Sequence, residues 1–157
     1  MIAAKTGKRE KARGFTLIEL VVTISIIAIL AAVALPRYIT LQTQARIAKT
    51  QAIYGGIRSA AALAHAQAIA TNSTTSATVA MEGVNVTQVN GYPAATNAGI
   101  VTALQIDATG DDVTITQGPP TLTLDTNGGT APNCRVSYTE APALNTAPTI
   151  VAVTTGC

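Results

Sequence analysis

"KREKARGFTLIELVVTISIIAILAAVALP", residues 8–36, decides how this chain is built. From Phe15 to Leu35 it holds one ionisable side chain, Glu19. As a helix those residues extend about 32 Å, close to the roughly 30 Å hydrocarbon core of a bilayer. The segment is therefore expected to cross a membrane once. Lys5, Lys8, Arg9, Lys11 and Arg13 precede it and only Arg37 follows closely. The positive-inside rule then puts the N-terminus in the cytoplasm and everything after Pro36 on the far side.

Glu19 is the exception in this run. A carboxylate in a spanning helix costs up to about 3 kcal/mol at the bilayer centre and less near an end. It is kept either for a partner or because it lies close enough to the interface to stay hydrated. A cleavable secretory signal is an alternative reading of the segment, with Ala32-Val33-Ala34 as its small-residue site. The length of the apolar run, the acid within it and Pro36 just behind argue against that reading.

Beyond the apolar run, 157 residues leave room for one modest domain. The net charge of +2 hides a strong sorting along the chain. Residues 1–14 carry +4 and residues 15–70 carry +3, whereas residues 71–157 carry −5. An acidic C-terminal half is the opposite of a nucleic-acid footprint, so no nucleic-acid partner is expected. Cys134 and Cys157 lie near the end of the chain, far from the single histidine, His65. Too few ligands surround them for a metal site. A disulfide is favoured, worth about 3 kcal/mol in the chain-entropy model and implying an oxidising compartment. Two separate buried thiols are the alternative.

Pro36 removes a hydrogen bond to Ala32 and crowds the turn before it, so a kink or local loosening is expected. Helical spacing resumes at Tyr38, Leu41, Ala45, Ala48 and Ala52, and continues through Ile53, Ile57, Ala60, Ala64 and Ala68 to about Ala70. Gly55-Gly56 inside this helix costs about 2 kcal/mol relative to alanines, to be offset by close packing or bending. His65 lacks acidic or cysteine neighbours at catalytic spacing and reads as a partly exposed helix residue.

After residue 70 the pattern changes to alternation, and 19 of the remaining 87 residues are threonine. Residues 78–89, 113–116, 121–124, 134–138 and 149–153 read as short strands separated by turn-rich segments. "TNAGIVTALQI", 96–106, reads as a short helix capped by Asn97 or Thr96. The fold class is thus α+β: a long N-terminal helix, its outer half packed on an antiparallel sheet of four or five strands. Asp107, Asp111 and Asp112 lack the full calcium-loop spacing and read as a solvated acidic turn. Asn72 and Asn85 each open a sequon that is read as unmodified. The residues assemble no catalytic constellation, cofactor loop or metal cluster, so neither an enzyme nor a cofactor is expected.

"RGFTLIE", Arg13–Glu19, resembles the prepilin signature of type IV pilins and of the related type II secretion pseudopilins. The resemblance implies cleavage after Gly14 by a dedicated prepilin peptidase and N-methylation of the new terminus, Phe15. It also implies an assembly role for Glu19, whose carboxylate neutralises the freed amine in its own or a neighbouring copy. Pro36 falls where family members lose helicity in the filament. Residues 36–106, with "PRYITLQTQARIAKTQAIYGGIRSAA" and "NGYPAATNAGIVTAL", resemble pilins of the mannose-sensitive haemagglutinin type.

These likenesses imply a leader over 1–14, a transmembrane and assembly helix over 15–35, an amphipathic stem over 36–70 and a β-rich head over 71–157. The implied partners are the inner-membrane bilayer, the processing enzyme, the pilus assembly machinery and copies of the same chain in a helical filament. The implied roles are adhesion or surface motility outside the cell. A type II secretion pseudopilin shares the N-terminus, but the major pseudopilins carry a C-terminal calcium loop and usually no terminal disulfide. A membrane-anchored periplasmic binding domain that stays monomeric gives no reason for Glu19.

Overall fold

The computed structural model describes residues 14–75 and 77–157, so the basic leader residues and their expected cleavage lie largely outside the described part. The chain divides into two compact units, Met1–Thr40 and Leu41–Cys157. One helix, α1 (Leu17–Ala70), contributes to both.

In the first unit every described residue, 14–40, is exposed. Phe15 is 92% exposed, with Leu17, Ile18 and Leu20 among the similarly bare side chains. The helix runs through Pro36 without interruption. The cost of the missing hydrogen bond is confined to one turn, and the helical assignment survives it.

In the second unit the helix buries Thr50, Ile53, Ile57, Ala60, Ala61, Ala64 and Ala68. This is the later of the two stripes read from the sequence. Leu41, Ala45, Ala48 and Ala52 lie exposed instead. Both rows have helical spacing, so periodicity finds an apolar face without saying which partner covers it. Gly56 is explained by the head, because a Cβ there would press on Leu104 Cδ1 at 2.9 Å, whereas nothing lies within 4 Å of one at Gly55. Gly55→Ala should accordingly raise the thermal stability of the head by about 1 kcal/mol through helix propensity, with Gly56→Ala gaining less or losing.

The head holds two antiparallel sheets rather than the single one expected. The first comprises β1 (Thr78–Met81), β2 (Val84–Val89) and β3 (Tyr92–Pro93). The second comprises β4 (Val113–Gly118), β5 (Thr121–Thr126), β6 (Arg135–Thr139) and β7 (Thr149–Val153). Residues 78–89, read as one strand, are a hairpin, because Glu82 and Gly83 both take positive φ, 48° and 83°, and reverse the chain between Met81 and Val84. Such a two-residue turn matches strand twist, and Asn90-Gly91 repeats it with φ of 54° and 81°. The helix expected over 96–106 is a widened turn over Asn97–Val101 followed by one helical turn, Thr102–Leu104. Thr96 precedes it without a side-chain capping bond. Gly99 is the reason: it is non-helical, and a Cβ there would collide with the Ala94 carbonyl. That carbonyl accepts from Ile100 N and Thr96 N instead.

Strands β5 and β6 alternate strictly, burying Leu122, Leu124 and Thr126 on one and Val136 and Tyr138 on the other. Leu122, Leu124, Val136 and Tyr138 meet Ile53, Ile57 and Ala60 of α1 in the main core. Ala64 and Ala68 meet Val79 and Val86 of the first sheet in a second cluster. On the outer face Arg135 donates to both carboxylate oxygens of its cross-strand neighbour Asp125, at 2.8 and 3.0 Å. Tyr138 joins the two sheets, its buried hydroxyl donating to the Pro93 carbonyl at 2.6 Å. Burial, with the Glu140 carboxylate and then Tyr92 adding to it, pushes this phenol well above the usual range. The folded state therefore holds a proton that the unfolded chain releases above about pH 10, so stability falls as pH rises past that point. Tyr138→Phe should lower stability by roughly 1–2 kcal/mol at neutral pH, leaving a buried carbonyl unpaired, and should blunt the alkaline loss in a pH series of thermal melts.

Candidate functional site

The N-terminal end of α1 carries the chemistry that the apolar run lacks elsewhere. Thr16 and Glu19 are three apart, and each completes the other. Thr16 N donates to Glu19 Oε2 at 2.9 Å and the Thr16 hydroxyl to the same oxygen at 2.8 Å, while Glu19 N donates to Thr16 Oγ1 at 3.3 Å. This is a capping box, which satisfies amide groups that the first helical turn leaves without partners. Thr-Leu-Ile-Glu carries this spacing in the sequence, where an acid inside an apolar run points first to a distant partner. Glu19 thus has a partner inside its own chain, and its negative charge sits where the positive end of the helix dipole favours it.

The other polar side chains of the apolar stretch are satisfied within the helix. Thr23 Oγ1 donates to the Glu19 carbonyl at 2.7 Å and Ser25 Oγ to the Val21 carbonyl at 2.8 Å. A helix with its hydroxyls turned back onto its own carbonyls presents only hydrocarbon outward, as a bilayer or a bundle of like helices requires. It is long and apolar enough to span a membrane. Phe15 precedes the first helical turn and Gly14 lies just outside it, both exposed. Among the described residues nothing lies within 4 Å of a Cβ built on Gly14, so they give no steric reason for a glycine there.

In the second unit Cys134 and Cys157 form a disulfide with an S–S distance of 2.04 Å. Cys134 is buried, and Thr50 Oγ1 of α1 lies 3.6 Å from each sulfur and 2.8 Å from Thr126 Oγ1. The bridge therefore closes the chain terminus onto the inner face of the helix. In the sequence a lone threonine between Lys49 and Gln51 carries no signal, and Thr50 gains its role only once its partners are placed.

Asp107 and Asp111 organise their own turn. Thr109 N donates to Asp107 Oδ1 at 3.0 Å and Asp107 N to Asp111 Oδ2 at 2.9 Å. Asp112 pairs with Lys49 at 3.6 Å. No cluster of three metal-ligating side chains is found among the described residues. His65 is more engaged than expected, stacking on Tyr92 with centroids 4.0 Å apart and donating from Nδ1 to the Gly91 carbonyl at 2.8 Å.

Residues 9–35 match the family model described as the prokaryotic N-terminal methylation motif. The type IV narrow pilus major component PilA5 of Thermus thermophilus is 36% identical over 115 residues, covering 73% of this chain and 96% of that relative. No solved structure gives a significant match. A methylation motif on an exposed apolar helix, continued by similarity across nearly the whole of a pilus subunit, shows that the chain belongs to the type IV pilins.

Proposed function

We propose that this chain is made as a precursor, cut after Gly14, methylated on Phe15 and assembled through residues 15–35 into an extracellular filament. Before assembly the same helix anchors it in the inner membrane, with the leader in the cytoplasm and residues 71–157 on the oxidising side. The observation that carries the reading is the run of bare apolar side chains over residues 15–35, interrupted by a single carboxylate, Glu19. So large an exposed apolar surface requires lipid or copies of itself, and contacts that repeat head to tail without closing build a fibre. Residues 1–14 are then a leader and 36–70 a stem, with Pro36 as the place where helicity is given up on packing. The protein serves as a structural subunit supporting adhesion or surface motility, not as an enzyme.

Cleavage after Gly14 supplies an α-amine with an ordinary pKa near 8, which methylation leaves cationic. Glu19 neutralises it when both enter low dielectric, where the pair counts for far more than in water. The test is Gly14→Val, which the fold tolerates because that position is open. It should leave a full-length membrane protein and no filaments by electron microscopy of sheared cells. Filaments built from uncut Gly14→Val chains would overturn the proposal.

A further inference from the structure

Two surface features of the head sit on opposite flanks of α1 and complement each other. One is an open groove of about 400 Å³ lined by Arg58, Ala62 and His65 of the helix, Tyr92 of β3, and Pro148 and Ile150 at the start of β7. Arg58 is exposed and lies over the Tyr54 ring at 5.7 Å, with no carboxylate in salt-bridge range among the described residues. The groove is thus apolar along its floor with a free guanidinium beside it, and the Tyr92–His65 stack fixes its aromatic wall. The other feature is the acidic turn. Asp107 and Asp111 are exposed and also lack a cationic partner among the described residues. The turn is held rigid by its own bonds, Asp111 N donating to the Asp107 carbonyl at 2.8 Å in addition to the carboxylate contacts above.

The two features cannot meet within one chain. Asp111 borders the recess that includes Lys49 and Ala52, on the other side of the helix from the groove. At 3.6 residues per turn, Arg58 and His65 lie about 100–120° from the buried row Ile53, Ile57 and Ala64 in one direction, and Lys49 and Ala52 about 60–120° in the other.

We infer that the Arg58–His65 groove receives the Asp107–Asp112 turn of a second copy of this chain. Charge complementarity selects this occupant, and the preordered turn loses little freedom on docking. A basic socket on one flank and an acidic knob on the other form a heterologous contact, whose repetition builds an open helical array rather than a closed pair. The inference rests on the proposed polymerisation and names a specific lateral contact between heads within it.

The test is a charge swap in cells making the full chain. Arg58→Glu alone, and Asp107→Lys with Asp111→Lys, should each reduce sheared filament about tenfold or more through like-charge repulsion, with the head melting as in the parent. Combining all three in one chain should restore filament, because every copy then carries both reversed partners. A second measurement does not depend on the stability of the turn. Ala62→Cys with Ala108→Cys should give a ladder of cross-linked multimers from filaments treated with a short bis-maleimide. Reversals that assemble normally, a combined variant that is not rescued, or filaments that give no ladder would each overturn the contact. Failure of the parent chain to form filaments would instead remove the polymerisation reading on which it rests.

Discussion

Glu19→Ala is expected to cut the yield of assembled filament by at least about tenfold while leaving the head folded and the precursor in the membrane. This residue has one task in the structure and a second in the proposed mechanism. Its carboxylate completes the capping box with Thr16, and in the proposed mechanism its charge neutralises the amine of Phe15. Loss of the cap alone costs about 1 kcal/mol, in a helix long enough to absorb it. Loss of the charge leaves a cation to be buried unpaired among apolar helices, which costs several kcal/mol. Glu19→Gln separates the tasks, since glutamine at this position still closes a capping box but carries no charge. The charge account requires Gln to fail as Ala does. Normal filament yield from Glu19→Gln alongside failure of Glu19→Ala would assign the residue to capping alone.

Removing the disulfide is the second large change. Cys134→Ser, or reduction of the parent chain, should destabilise the head by about 3 kcal/mol, the loop-closure entropy of a bridge of this length. The loss reaches beyond the loop. Gly156 N donates to the Asn133 carbonyl at 2.8 Å and Thr130 N to the Gly156 carbonyl at 2.9 Å, so the residue before Cys157 is laced to the segment just before Cys134. Thr50 also reaches the sulfurs from α1, so freeing them loosens the seat of the helix on β5. Thermal melts with and without reductant measure this directly. For a domain near 100 residues each kcal/mol corresponds to about 4–8 °C, so an unchanged midpoint would contradict it.

The helix and the class of fold were legible because period and hydrophobicity act locally. An apolar run of bilayer length, then helical spacing to Ala70, then alternation rich in threonine leaves α+β as the consistent reading, and α1 ends at Ala70. What the sequence concealed was set by backbone turns and by distant partners. The Glu82-Gly83 reversal splits one apparent strand in two because both residues accept positive φ, and a Glu-Gly pair is a weaker turn signal than Asn-Gly. In the segment from 97 to 104 only Ala98, Ala103 and Leu104 are strong helix formers, and the approach of Gly99 to the Ala94 carbonyl keeps it from a regular helix.

At the N-terminal site the residues were visible and one relationship was not. Glu19 stood out by its type within an apolar run, and Gly14 and Phe15 through the resemblance to the prepilin signature, whereas the pairing of Thr16 with Glu19 needed the geometry of the first turn. The exposed row Leu41, Ala45, Ala48 and Ala52 makes the same point from the other side. Its spacing matches a buried face, and none of the described residues covers it.

Mass spectrometry of protein sheared from intact cells tests the central claim most directly. A chain that begins at Phe15, carries one added methyl group at its N-terminus and lacks the two hydrogens lost in the Cys134–Cys157 bridge is the predicted result. A full-length chain with an unmodified Met1, recovered from membranes and never from the sheared fraction, would contradict it.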